Sequence, residues 1–301
     1  MPLFEGAFAA AVTPSRRDFF QMDLGATLEV IDYLCSHNVR GIALFGATGE
    51  FPHFTTEDRV RLTHMAMKRS RVPVIVNATA SSFVDAYAIA DHAAANGAAA
   101  VLVQPPYYFR YRVAEIRQFY REIIHGAGGN IPVLLYNLPA FNNEVSIELA
   151  VELLNDGLAA GIKDSSGDWD YFSKLLEARR HREFTLLAGN DCITMRARSA
   201  GADGFISGCA CAVPELLVSL DDAIRAGNPE RTARLGGLLD EFLAQVDRFP
   251  GPLGIKESLT VRGMKMGGRA IPYAPETERA AEEFREWFQG WLPGMQKEAR
   301  A

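Results

Sequence analysis

Short apolar runs alternate with longer polar-and-apolar stretches along this chain. The runs are Gly6–Val12, Gly41–Phe45, Pro73–Asn77, Ala99–Val103, Pro132–Asn137, Ala159–Lys163, Phe184–Ala188 and Gly204–Ser207. They show little polar alternation, as strands buried on both faces should. The stretches between them carry helical spacing, as where Leu24, Leu28, Ile31 and Leu34 fall on one face. Thr55 and Asp58 form a capping-box pattern that opens the next helix. Gly97 and Gly201 each stand between a helix and a strand, where a left-handed cap turns the chain back.

Eight predicted strands, each followed by a helix, describe a (β/α)8 barrel. Its eighth helix is Pro214–Ala226. Beyond it, Pro229–Arg248 and Glu276–Trp291 also read as helices. The expected organisation is therefore a barrel over 1–226 and a C-terminal helical extension packed on it over 227–301. Alternation alone leaves a doubly wound sheet open, but eight units favour closure.

Composition narrows the class. With 301 residues, 48% hydrophobic and 23% charged, the chain is neither disordered nor collagen-like. The formal charge of −6 and a single basic cluster, Arg179-Arg180-His181-Arg182, argue against a nucleic-acid partner. That cluster falls at the end of a predicted helix, where cations complement the helix dipole. The four cysteines, Cys35, Cys192, Cys209 and Cys211, include no Cys-x-x-Cys pair and form no disulfide framework. No secretory signal and no membrane-spanning apolar run are read, so a cytoplasmic globular protein is expected.

A parallel barrel builds its site at the carboxyl ends of its strands, so the residues there carry the chemistry. Lys163 closes the sixth run, directly after Ala159-Ala160-Gly161-Ile162. An ordinary lysine, with a pKa near 10.4, is neutral only to the order of 10⁻³ to 10⁻⁴ at pH 7. Burial raises the neutral fraction, which is how Schiff-base lysines become nucleophilic. The plainer alternative is a lysine that reaches solvent or pairs with Asp164. Tyr136 ends the neighbouring strand, where its phenol can shuttle a proton. The turn Gly46-Ala47-Thr48-Gly49 offers backbone N–H groups and the Thr48 hydroxyl to a carboxylate. Together these three features suit a 2-keto-acid site.

The motifs Gly46-Ala47-Thr48-Gly49-Glu50, Tyr136-Asn137-Leu138-Pro139 and Gly161-Ile162-Lys163-Asp164, in this order and spacing, carry a resemblance. The chain resembles the dihydrodipicolinate synthase and N-acetylneuraminate lyase family of Schiff-base aldolases, from Ala11-Val12-Thr13-Pro14 to Gly254-Ile255-Lys256. The resemblance implies a TIM barrel with C-terminal helices and a homotetramer built as a dimer of dimers. It implies that Lys163 forms the imine with pyruvate or a 2-keto acid and that Tyr136 relays protons. Ala47 and Thr48 would hold the keto-acid carboxylate. Gln104-Pro105-Pro106-Tyr107-Tyr108 resembles the segment whose second tyrosine, here Tyr108, enters the partner subunit's site. No metal and no organic cofactor are expected, since the protonated imine is itself the electron sink.

Departures from the family pattern bear on substrate. Synthases acting on aspartate semialdehyde carry an arginine where this chain has Phe141, which has no donor for a second carboxylate. Asn142 or Asn143 could partly substitute. They also carry a hydroxyl residue in their proton relay where this chain has Ala47. Sialic acid lyases place an acidic residue after Gly189-Asn190-Asp191, where Cys192 stands here. Gly189 and Asp191 remain as substrate contacts, and Ser165, Ser166 and Ser207 are available for hydroxyls. A tail pocket that is small, or partly apolar around Phe141, Tyr107 and Phe109, is expected. The leading expectation is an aldolase cleaving a 2-keto-3-deoxy sugar acid or related 4-hydroxy-2-keto acid to pyruvate and an aldehyde. A dehydratase on the same imine, a dihydrodipicolinate synthase and a non-catalytic keto-acid binder are the alternatives. Cys209-Ala210-Cys211 brings no partner ligands for a metal, and no nucleotide-cradling motif occurs.

Overall fold

The computed structural model of the chain describes residues 3–16, 21–126 and 131–301. Its strands are β1 (Gly6–Ala10), β2 (Gly41–Leu44), β3 (Val74–Asn77), β4 (Ala100–Val103), β5 (Val133–Asn137), β6 (Gly161–Asp164), β7 (Thr185–Ala188) and β8 (Gly204–Ser207). They close into a barrel in sequence order, which settles closure over the doubly wound alternative. Every residue of every strand is buried, the burial that their unbroken apolar runs anticipate.

Register sets which residues share a face. In parallel neighbours, paired residues point the same way and successive residues alternate. Leu102 pairs with Leu134, Tyr136 with Lys163 and Lys163 with Leu187. Lys163 is thus an interior strand residue, one position before the end of β6.

The chain forms two compact units, Met1–Gly6 with Pro73–Ile206 and Ala7–Val72 with Ser207–Ala301. In the first, the helices Phe83–Ala95, Val113–Gly126, Ile147–Asn155, Trp169–Ala178 and Asp191–Ser199 follow their strands. Gly201 takes φ 108° after the last of these and Gly97 takes φ 78° after the first, so the glycines make the expected left-handed caps. Arg179 lies just beyond the helix Trp169–Ala178 rather than in its last turn. It donates to the Gly201 carbonyl at 2.7 Å and to Asp203 at 2.8 Å, so part of the basic cluster ties loops together.

In the second unit the capping box at Thr55 forms as expected, with Thr55 Oγ1 accepting from the Asp58 amide at 3.1 Å. The helix Leu24–Ser36 follows β1, and Pro214–Arg225 follows a single buried turn, Cys209–Ala212. Burial pushes the Cys211 thiol up to about 12, so it behaves as a small buried hydrophobe. Helices Pro229–Val246 and Pro275–Arg300 pack through a cluster that includes Phe242, Phe284, Phe288 and Trp291. Between them lies a helix that periodicity did not predict, Leu253–Val261. Its residues Leu253–Leu259 are all buried, Lys256, Glu257 and Ser258 included, so its polar positions do not mark a solvent face. No helix among the described residues is long and apolar enough to cross a membrane.

Candidate active site

Lys163 and Tyr136 meet because adjacent strands hold them in register on one face. The Lys163 Nζ donates to the Tyr136 hydroxyl at 3.1 Å and lies 4.2 Å from the ring centroid. Both are buried, at 4% and 2% exposure. Asp164, the alternative partner for this lysine, points to the opposite face. It accepts from Asn137 Nδ2 at 2.8 Å and from the Ser166 hydroxyl at 2.8 Å. Burial pushes the Asp164 carboxyl up, and these donors oppose that shift only in part. Among the described residues, no carboxylate pairs with Lys163.

Space beside the lysine depends on Gly189. Leu187 pairs with Lys163, so Gly189, two residues on, shares its face. A Cβ there would collide with Lys163 Cε and Ser165 Oγ, hence the glycine. Ser165 is buried and, among the described residues, its hydroxyl has no hydrogen-bond partner. Ser166, by contrast, is spent on the turn: its hydroxyl bonds Asp164 and accepts from the Asp168 amide at 3.1 Å. Asp191 opens the helix Asp191–Ser199, next to its cap Asn190. A carboxylate there also suits the helix dipole.

The segment after β4 is held from below. Asn143 Nδ2 donates to the Pro106 and Phe109 carbonyls at 2.6 and 2.8 Å, while its Oδ1 accepts from the Tyr111 amide at 3.0 Å. Asn143 is therefore committed to backbone, which removes it as a replacement for the missing arginine. The segment presents Tyr108 outward at 87% exposure, with φ 82°. Phe109 and Phe141 are likewise at the surface, at 64% and 74% exposure, and Tyr107 is half-buried.

In the other unit, the turn after β2 has its own geometry. Phe45 and Glu50 flank it at φ 60° and 52°, left-handed conformations that non-glycine residues adopt only when their surroundings hold them. The Glu50 carboxylate is ion-paired with the buried Lys256, and the Arg59 guanidinium lies 5.5 Å from the Phe45 ring. Gly49 has no room for a Cβ, which would sit 3.0 Å from the Phe45 Cα. Ala47 is exposed and Thr48 half-buried, and their amides have no hydrogen-bond partner among the described residues. Ser207 is fully buried and accepts from the Ala210 amide at 3.1 Å, so its hydroxyl caps the turn that follows β8.

Gln104, the first residue after β4, entered the sequence pattern only as the start of the Tyr108 segment, yet its side chain is fully buried and, among the described residues, neither amide atom is bonded. The rule that selected Lys163, a polar residue closing an apolar run, would also have selected it. The Glu50–Lys256 pair left no local signal, because its partners are brought together only by the fold.

The closed parallel barrel carries a buried lysine hydrogen-bonded to a buried tyrosine at its strand ends, an arrangement suited to chemistry through a lysine amine. The model of the Dihydrodipicolinate synthetase family matches residues 3–290. The chain belongs to that family and is a lyase. It is similar to a 4-hydroxy-tetrahydrodipicolinate synthase of Methanococcoides burtonii, 27% identical over 91% of this chain and 93% of that protein. A DapA-like lyase of Halobacterium salinarum is 32% identical over 87% of this chain and 86% of its own length. Among solved structures, YagE from E. coli K12 in complex with pyruvate superposes with a TM-score of 0.87 at 25% identity, over 96% of this chain and 99% of that one. A sialic acid aldolase of Ruminococcus gnavus shares the fold with a TM-score of 0.88 at 22% identity, over 97% of this chain and 98% of that one.

Proposed function

We propose that the protein is a Schiff-base aldolase that cleaves a 2-keto-3-deoxy sugar acid or related 4-hydroxy-2-keto acid to pyruvate and an aldehyde. The observation that carries this reading is the 3.1 Å bond between the buried Lys163 amine and the Tyr136 hydroxyl, with no carboxylate on the amine. The pyruvate bound to the related YagE supports the keto-acid head. The Lys163 nitrogen adds to the C2 carbonyl, water leaves, and the protonated imine draws electrons from C3. Tyr136 gives its proton to the departing hydroxyl as the imine forms, and the resulting phenolate takes the proton from the C4 hydroxyl as the C3–C4 bond breaks and the aldehyde departs. The remaining enamine takes a proton at C3, and water releases pyruvate and the free amine.

The unbonded amides of Ala47 and Thr48, with the Thr48 hydroxyl, are the groups proposed to take the substrate carboxylate. Ser165, Gly189, Asp191, Ser207 and Phe141 are the proposed surroundings of the substrate tail. The enzyme is proposed to work in the cytoplasm as a homotetramer, with the exposed Tyr108 completing a partner's site. Exposed aromatics of this kind favour burial against another surface.

Synthesis of 4-hydroxy-tetrahydrodipicolinate, the activity in the names of several relatives, ranks lower. It requires a group for a second carboxylate, whereas Phe141 has no donor and Asn143 is used on backbone, which leaves only the neutral amide of Asn142 in place of an arginine. The test is an assay of three reactions side by side. Purified enzyme is given 2-keto-3-deoxygluconate with detection of released pyruvate, the same compound with detection of its dehydration product, and pyruvate with aspartate semialdehyde. Pyruvate release as the fastest reaction supports the aldolase; dominant dehydration or condensation overturns it.

A further inference from the structure

We propose that Gln104 recognises a hydroxyl group on the substrate bound at Lys163. This rests on the Schiff-base reading and adds a substrate-contacting residue to it. Gln104 has no exposed surface, yet among the described residues neither its Nε2 nor its Oε1 has a partner. Its backbone amide donates to Thr79 Oγ1 at 2.9 Å, so the N–H is satisfied while the side chain is not. A buried carboxamide with both ends unpaired is costly, and natural interiors rarely keep one without a reason.

Register shows where that carboxamide stands. Leu102 pairs with Leu134, so Gln104 and Tyr136, each two residues on, share one face, and Tyr136 pairs with Lys163 on that same face. Gln104 is thus the next position beyond Tyr136 from the lysine. Ser165, two residues beyond Lys163 on the same face, carries another buried hydroxyl without a partner. Two unsatisfied polar side chains therefore flank the bonded Lys163–Tyr136 pair.

The chemistry of the missing partner follows from the donor and acceptor both left open. A carboxylate would satisfy Nε2 and repel Oε1, and an ammonium would do the reverse. A hydroxyl both accepts and donates, so one or two substrate hydroxyls satisfy the amide without a charge being buried. Pyruvate, which lacks any hydroxyl, would leave Gln104 unsatisfied. The inferred substrate is accordingly hydroxylated along the tail beyond the imine carbon.

The experiment is borohydride trapping in short pulses, with label on the protein read by intact mass, for wild type and Gln104→Met. Three probes are used: pyruvate, 2-keto-3-deoxygluconate, and 2-oxohexanoate, which has the same chain length without hydroxyls. Wild type should reach half-labelling at a lower concentration of 2-keto-3-deoxygluconate than of 2-oxohexanoate. Gln104→Met should raise the former concentration about tenfold or more and leave pyruvate and 2-oxohexanoate within about twofold. Its melting temperature should be equal or higher, since the unpaired amide is gone. An unchanged ratio in the variant, or no preference in wild type, overturns the assignment while the Schiff base stands. Failure of wild type to trap pyruvate removes the Schiff-base reading and this assignment with it.

Discussion

Two lysines in this protein are equally buried, at 4% exposure, and their neighbourhoods differ in one respect. Lys256, on the helix Leu253–Val261, is ion-paired with the Glu50 carboxylate. The next residue, Glu257, is bridged by Arg269 and Arg285, each at 2.6 Å, so charges around Lys256 are matched. Lys163 has a phenol instead, and two of the three hydrogen-bonding directions of a lysine remain for something else. A matched pair pins structure, here a turn with Glu50 in a left-handed conformation. An amine left without a carboxylate, in a space kept open by Gly189, is placed to react.

The contrast is broken most strongly by removing each lysine in turn. Lys163→Ala should lower turnover by about 10⁴-fold or more while unfolding near the wild-type urea midpoint. Lys256→Met should strand the Glu50 carboxylate in the interior and cost about 3–5 kcal/mol in urea unfolding. The double variant Glu50→Leu with Lys256→Met should recover most of that loss, because an apolar pair can replace a buried ion pair. A Lys256→Met protein of wild-type stability would erase the distinction. Tyr136→Phe sharpens the account of the other lysine. It should cut kcat by about 10²–10³-fold, since it removes the proposed proton relay and keeps the ring.

The smallest expected effect concerns Asp164, on the far face of the strand that carries Lys163. Burial raises its carboxyl above the ordinary aspartate range, so the folded protein binds a proton the unfolded chain has released. Stability from this group is present at low pH and lost as pH rises through the raised value. Asp164→Asn should therefore gain on wild type with rising pH, by on the order of 1 kcal/mol, in urea midpoints from about pH 4 to 8. A difference independent of pH would mean that the carboxyl titrates alike in both states.

Barrel closure, the strand-end lysine and its tyrosine were legible in the sequence because alternation and strand order are local signals. Strand limits moved by a residue or two, as at β6, where Ala159 and Ala160 precede the strand. The helix Leu253–Val261 was hidden because its polar residues Lys256, Glu257 and Ser258 are buried, which breaks the link between polarity and a solvent face. The separation of Ser165 from Ser166 was equally hidden. Which of two adjacent hydroxyls is free depends on the turn that Ser166 makes with Asp164 and Asp168. Asn143 looked available and is not, because its three hydrogen bonds go to a segment more than thirty residues earlier in the chain.

If Lys163 is a reagent and Lys256 a clamp, the two lysines part company when the enzyme is reduced with borohydride in the presence of pyruvate and the modified peptide is mapped. A reduced pyruvyl adduct is expected on Lys163 and none on Lys256. An adduct on Lys256, or folded protein with no adduct at neutral and mildly alkaline pH, would contradict it.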